Sequence, residues 1–265
     1  MLDPNKPTLK KRLREGRPLG VYWFALGNVA LIEMSVAAGA EGIVIDMQHG
    51  LFDRMTLEAA LGSVSAEVPC LVRVEDDSAT ASGRALDAGA EGVIVPLVET
   101  AAQAEAAAAA CHYPPKGYRS GGGVRPLRDF AAYTAAAADA IAVGVMIETA
   151  RGVENAEAIA AARNVDFVFI GTGDLALSLG TPPGSEDHSK ACARILEACR
   201  RAGTPCGTFT FGPEAAAAKI AEGFWLTVVL NDISAMSGAA TAATAAFREL
   251  TAPKTTVPPP AARLS

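Results

Sequence analysis

No stretch of this 265-residue chain approaches the roughly 20 unbroken apolar residues of a membrane span, so no membrane-spanning helix is expected. Residues Met1 to Arg17 are polar and basic without an apolar centre, and no secretion signal is expected there. A positive excess is also missing. The net charge of −6 argues against a nucleic-acid partner. The one basic cluster, Lys10-Lys11-Arg12-Leu13-Arg14, is short and followed by Glu15, and reads as the solvated face of a first helix. There is no Cys-x-x-Cys pair, and the five cysteines are odd in number. Cys192 and Cys199 lie two turns apart on one predicted helix, about 10 Å, beyond disulfide reach. The cysteines read as small core residues in a reducing, cytoplasmic setting. Cys111-His112 is the one adjacent Cys–His pair, but it ends an alanine-rich helix and lacks the setting of a catalytic thiol.

Half the residues are apolar, enough for a large core without staples. An internal repeat sets the architecture. Ala38-Gly39-Ala40-Glu41-Gly42-Ile43-Val44-Ile45 recurs as Ala88-Gly89-Ala90-Glu91-Gly92-Val93-Ile94-Val95, with a degraded copy at Ala221-Glu222-Gly223-Phe224-Trp225-Leu226. Each copy reads as a helix end, a glycine that admits the left-handed conformation, and a strand apolar on both faces. Recurrent βα units favour a closed parallel barrel. Strands are predicted to start near Val21, Ile43, Cys70, Val93, Ala142, Phe167, Cys206 and Trp225. Helices are predicted over Val29–Ala38, Thr56–Glu67, Ala79–Ala88, Ala101–Cys111, Val153–Ala162, His188–Ala202, Pro213–Glu222 and Ala235–Leu250, with a leading helix near Thr8–Arg14. This is an α/β protein, a single-domain (β/α)8 TIM barrel over 1–250, a fold that takes about 250 residues. Residues 251–265, with Pro258-Pro259-Pro260, read as a loose tail. The segments 113–123 and 179–184 exceed a minimal barrel and are candidates for functional loops.

Four apolar runs stop at residues able to do chemistry. Gly42-Ile43-Val44-Ile45 ends at Asp46, with His49 beyond; Cys70-Leu71-Val72 ends at Arg73; Val143 to Ile147 ends at Glu148; Phe167 to Ile170 ends at Gly171-Thr172-Gly173-Asp174. In a parallel barrel these ends converge on the face where such folds carry their active sites. Glu148 and Asp174, on consecutive strands, would repel without a counter-charge. A divalent cation supplies it. All-oxygen ligation suits Mg²⁺ or Mn²⁺, with Co²⁺ open, better than zinc. The alternative is a separate salt bridge for each carboxylate. The glycine-flanked turn at Thr172-Gly173-Asp174 can offer helix N-terminal amides to a substrate carboxylate, or can be an ordinary turn with Asp174 as N-cap. Arg73 can stabilise charge on a substrate oxygen, or pair with Glu148 or Asp46. Asp46 can orient the His49 imidazole and raise its basicity, whereas His112 and His188 read as surface residues.

Taken in order, Ile45-Asp46-Met47-Gln48-His49-Gly50, Val72-Arg73, Val95-Pro96-Leu97-Val98-Glu99-Thr100, Tyr113-Pro114-Pro115-Lys116-Gly117-Tyr118-Arg119, Met146-Ile147-Glu148-Thr149 and Phe169-Ile170-Gly171-Thr172-Gly173-Asp174-Leu175 resemble the class II pyruvate-dependent aldolases of the 2,4-dihydroxyhept-2-ene-1,7-dioate aldolase / 2-dehydro-3-deoxygalactarate aldolase family, from about Leu13 to Leu250. The resemblance implies a divalent metal on Glu148 and Asp174, chelated by pyruvate through its keto oxygen and carboxylate. It implies enolate stabilisation by Arg73 and acid–base work by His49 with Asp46. It also implies hexamers, trimers of dimers that exchange C-terminal helices. Departures are Gln48 where many relatives carry Glu, and Thr172-Gly173-Asp174 where many carry Pro-Ala-Asp. Phe209 matches a lining position of the aldehyde pocket, and Arg119 matches a loop that grips the acceptor. The expected activity is cleavage or formation of 4-hydroxy-2-oxo acids from pyruvate and an aldehyde through a metal-bound enolate. A citrate-lyase-like acyl-CoA lyase, an oxaloacetate decarboxylase and an inert barrel that only binds are the alternatives.

Overall fold

A computed structural model describes residues 9–64 and 68–252. Eight parallel strands close into one barrel: β1 Leu19–Phe24, β2 Ile43–Asp46, β3 Cys70–Arg73, β4 Gly92–Val95, β5 Ala142–Ile147, β6 Phe167–Ile170, β7 Cys206–Thr208 and β8 Leu226–Asn231, in sequential order with β1 paired to β8. The helices are α1 Leu9–Arg14, α2 Val29–Ala37, α3 Arg54–Ser63, α4 Ala79–Asp87, α5 Ala101–Cys111, α6 Phe130–Ala140, α7 Ala150–Glu154, α8 Ala156–Ala160, α9 Thr172–Leu179, α10 Glu186–Ala202, α11 Pro213–Ala221 and α12 Asp232–Thr251. The repeat behaves as its glycines require: Gly39, Gly89 and Gly223 follow α2, α4 and α11 with φ of 95°, 106° and 99°.

Strand alternation sorts the core into two shells. Ile43, Ile45, Val72, Val93 and Val95 face the helices. Val44, Leu71, Ile94, Met146, Phe167 and Phe169 fill the barrel interior, where Leu9 and Leu13 of α1 join them. Lys10 departs from the expected solvated face. It is buried, with Nζ 2.9 Å from Asp166 and donating to the carbonyls of Ala138 and Ile141. Packing of α1 against the barrel turns that side of the helix inward, and Asp166 neutralises the charge it buries.

The predicted helix Val153–Ala162 is two short ones, α7 and α8, broken at Asn155, whose side-chain amide donates to the Glu99 carbonyl at 2.8 Å. An asparagine that bonds outside its own helix competes with helical hydrogen bonding. The end of the predicted helix Thr56–Glu67 and residues 253–265 of the predicted tail lie outside the described residues. No described helix is long and apolar enough to cross a membrane. The five cysteines are free, and all but Cys192 are buried. Burial pushes the Cys111 thiol up to about 12, which disarms it as a nucleophile.

Candidate active site

Period-two alternation carries the inward face of the strands to their C-terminal ends. Asp46 follows Val44, Arg73 follows Leu71 and Glu148 follows Met146 at that spacing, so the barrel interior is capped by charged groups. Asp46 and Arg73 are register partners on β2 and β3. Arg73 Nε donates to Asp46 Oδ1 at 2.8 Å, Nη2 donates to Oδ2, and the Trp23 indole donates to Oδ2 at 3.3 Å. The guanidinium carbon also lies 5.2 Å from the Trp23 ring centroid. Burial alone would raise the Asp46 carboxyl, but the Arg73 hydrogen bond and charge outweigh it and hold the group below its ordinary value.

This geometry corrects the expected role of Asp46. Its Oδ1 accepts the backbone amides of Gln48 and His49, at 3.0 and 3.2 Å, rather than the imidazole. The carboxylate sits inside the barrel end and turns its oxygens toward Arg73 and Trp23. It shapes the loop that carries His49, whose exposed side chain lines the same cavity as Arg73. Gln48 keeps a buried side-chain oxygen without a hydrogen-bond partner.

Glu148 is almost fully buried. Its Oε1 accepts the Leu97 amide at 2.7 Å, while Oε2 is buried without a partner. Leu97 holds a left-handed φ of 55°, a conformation that costs a non-glycine residue about 1 kcal/mol, and this turn aims its N–H at the carboxylate. Burial pushes the Glu148 carboxyl up to about 7; the Leu97 bond opposes that rise, and the neighbouring Asp174 charge adds to it. Gly171 makes the space: a Cβ there would stand 2.3 Å from Glu148 Oε2. An orphaned buried carboxylate oxygen facing a second carboxylate fits a divalent cation. Among the described residues no cluster of three or more His, Cys, Asp or Glu forms. Two carboxylates would leave positions for substrate and water, as Mg²⁺ sites commonly do.

Asp174 is the third residue of α9, whose N-cap is Gly171, so it is not itself the N-cap. Asn28, Asp53, Ser78, Thr100 and Ser185 each cap their helix with a side chain, but no side chain caps α9. The first residues of α9 line the cavity, and their amides, which no side chain caps, can take an anion. His188, expected at the surface, is buried on the first turn of α10. Its Nε2 lies 3.0 Å from the Thr172 carbonyl, and its Nδ1 accepts the Gly184 amide at 3.2 Å, so the ring ties the loop after α9 to the turn that carries Thr172, Gly173 and Asp174. His112 is buried too; desolvation and then Lys10 push its imidazole down to about 4.

The cavity, about 380 Å³, brings His49, Arg73, Glu148, Thr172, Gly173 and Asp174 together with Phe209. Arg119 is not among them. It is buried between α4 and α6, bonded to Asp87 at 2.8 Å and to Tyr133 at 3.2 Å and stacked on Tyr113, so its charge is spent in the helical shell. Sequence reasoning missed Trp23, Leu97 and His188. No local pattern marks them, although Leu97 follows Pro96 in a non-helical turn.

Residues 20–231 match the family described as HpcH/HpaI aldolase/citrate lyase. The chain is 36% identical over 250 residues to a 4-hydroxy-2-oxovalerate aldolase of Rhodococcus jostii (strain RHA1), covering 92% of this chain and 96% of that one. It is 35% identical over 236 residues to a hydroxypyruvate/pyruvate aldolase of Rhizorhabdus wittichii, covering 85% and 92%. A crystal structure of an HpcH/HpaI aldolase/citrate lyase family protein from Burkholderia cenocepacia J2315 superposes with a TM-score of 0.86 at 34% identity, covering 91% and 98%. With its closed barrel and a match that runs from β1 to the end of β8, this chain belongs to the HpcH/HpaI aldolase/citrate lyase family.

Proposed function

We propose that the protein is a class II pyruvate aldolase that cleaves or forms 4-hydroxy-2-oxo acids from pyruvate and an aldehyde. One observation carries this reading: the unpartnered Glu148 oxygen and Asp174 share a cavity with Arg73, His49 and an uncapped helix N-terminus. The names of the two aldolase relatives support the same chemistry. Glu148 and Asp174 would hold a divalent cation, Mg²⁺ or Mn²⁺ with Co²⁺ a further candidate, which when bound supplies Lewis-acid polarisation of the keto oxygen.

The amides at Thr172, Gly173 and Asp174 receive the pyruvate carboxylate at the positive end of α9. Asp46 occupies Nε and one Nη2 proton of Arg73 and leaves its other N–H groups for the oxygen on which negative charge grows. In the cleavage direction His49 takes the proton of the 4-hydroxyl. The C3–C4 bond breaks, its electron pair passes into the enolate of pyruvate, and the aldehyde departs. A proton delivered to C3 then restores pyruvate.

We also infer a cytoplasmic homo-oligomer, a hexamer built as a trimer of dimers. Free cysteines support the reducing setting. Of the 20 residues of α12 only Asp232, which anchors its start to β1, is buried, while Phe247 and Leu250 are exposed, so the rest of the helix is left uncovered by the described residues. The direct test is Glu148→Ala and Asp174→Ala, each expected to abolish aldol cleavage and metal retention together. Full activity in either variant overturns the assignment.

A further inference from the structure

Asp232 is a buried carboxylate outside the chemistry derived above. It opens α12 directly after β8 and is 5% exposed. Its oxygens take backbone amides of the segment that follows β1. The Ala25 amide donates to Oδ1 at 3.0 Å, and the Leu26 amide donates to Oδ2 at 2.9 Å. Asn231, one residue earlier and in register with Trp23, donates its side-chain amide to the Trp23 carbonyl at 3.5 Å. A carboxylate withdrawn from water and satisfied by backbone N–H groups fixes the path of that backbone, because drift would leave a buried charge without its donors.

The segment fixed in this way supports the loop that carries His49. The Ala25 carbonyl accepts the Leu51 amide at 2.7 Å. A Cβ on Gly50 would stand 2.1 Å from the Asp46 carbonyl oxygen and 3.2 Å from that of Ala25, so the loop lies directly against the ends of β1 and β2. A Cβ on Gly27 would stand 2.8 Å from the Leu51 carbonyl oxygen, which makes the contact close from the other strand's loop as well. His49 is therefore held from two directions. Asp46 Oδ1 takes its amide, while Asp232, through Ala25, holds Leu51 two residues further on. All these bonds lie within one chain, so the linkage stands whatever covers the remainder of α12.

Resting on the aldolase reading above, we propose that Asp232 is a positioning residue for the acid–base step: through Ala25 and Leu51 it sets where the His49 imidazole stands. Its hydrogen bonds reach neither Glu148 and Asp174 nor the turn at Thr172. Its loss therefore slows removal of the 4-hydroxyl proton and leaves binding intact. Misplacing an acid–base group by about 1 Å is enough to cost up to about a hundredfold in rate.

The test compares wild type with Asp232→Ala and with the isosteric Asp232→Asn, which keeps one acceptor oxygen and carries the test if the alanine variant does not fold. Cleavage of 4-hydroxy-2-oxobutanoate, the smallest 4-hydroxy-2-oxo acid, with Mn²⁺ gives kcat and KM. Titration calorimetry gives the Mn²⁺ Kd, and amide hydrogen exchange reads the Leu51 N–H. Asp232→Asn should lower kcat by about tenfold while KM and the Mn²⁺ Kd stay within about twofold of wild type. Exchange at Leu51 should quicken by about tenfold in the same variant, because the opening that exposes it becomes easier. Asp232→Ala should show larger changes in both. An unchanged kcat, an unchanged Leu51 exchange rate, or KM and Kd rising in step with the loss of kcat overturns the positioning role and leaves the aldolase standing. Wild type that does not cleave the probe overturns the aldolase reading, and this proposal with it.

Discussion

Glu148 offers a test of the cation site that does not depend on turnover. In metal-free protein its carboxyl is raised from 4.5 to about 7, chiefly by burial. Below pH 4.5 it is protonated in the folded and unfolded chain alike. Between pH 4.5 and 7 the unfolded chain releases the proton while the folded protein keeps it, so stability falls as pH rises through that window and levels off above 7. The full loss corresponds to about 3 kcal/mol at 1.36 kcal/mol per pH unit of displacement. Glu148→Gln cannot ionise and escapes this loss. In chelator, the stability of the variant relative to wild type should therefore rise by about 3 kcal/mol between pH 4.5 and pH 8. For a chain of this size that is roughly 6–12 °C in unfolding midpoint. Taking the difference between the two proteins cancels the other titrating groups. Saturating Mn²⁺ should cancel most of that difference at pH 8, because the cation favours the ionised carboxylate. Wild type should gain about 3 kcal/mol at a hundredfold excess over Kd, and the variant little. Scanning calorimetry from pH 4.5 to 8, with chelator and with Mn²⁺, reads both effects. Parallel profiles for the two proteins in both conditions would refute the argument that a buried, unpaired carboxylate awaits a cation.

Other perturbations probe the surrounding frame. Gly171→Ala keeps an allowed backbone at φ −82° but drives a methyl into Glu148 Oε2; Mn²⁺ affinity by titration calorimetry should fall at least about tenfold while the fold survives. Asp46→Asn leaves the Arg73 guanidinium without its charge partner and should cost about 3–5 kcal/mol at neutral pH by urea unfolding. Because the Asp46 carboxyl is depressed, that deficit is full above its ordinary value of 3.8 and should shrink as pH falls below it. His188→Leu removes two hydrogen bonds around the Thr172 turn, worth about 2 kcal/mol together, and should raise KM for pyruvate more than it lowers kcat.

The parts of the site that strand pattern dictates were legible in the sequence. Asp46, Arg73 and Glu148 terminate apolar runs, and period-two alternation carries them to the inward face at one end of the barrel. The partners those groups choose were not legible, because the contacts span the chain. Trp23 reaches Asp46 across 23 residues, Leu97 reaches Glu148 across 51, and Lys10 of α1 reaches Asp166 just before β6. His188 misled for the same reason. Its neighbours in sequence are polar, and only the docking of α10 against the Thr172 turn buries it. Arg119 misled in the other direction: a motif position suggested the site, but a carboxylate and two aromatic rings in the helical shell claim its charge.

Repetition of glycine-capped helices and doubly buried strands was enough to determine the closed parallel barrel, since each unit leaves an apolar strand that only neighbouring strands and a covering helix can bury. It also determined which strand ends carry charge. Tertiary packing alone decided which charge pairs with which: Arg73 with Asp46, Glu148 with one amide and an empty oxygen, Asp174 on an uncapped helix. Desolvation and pairing depend on every group within a few ångströms, and the chain brings those groups together from distant positions only once it has folded.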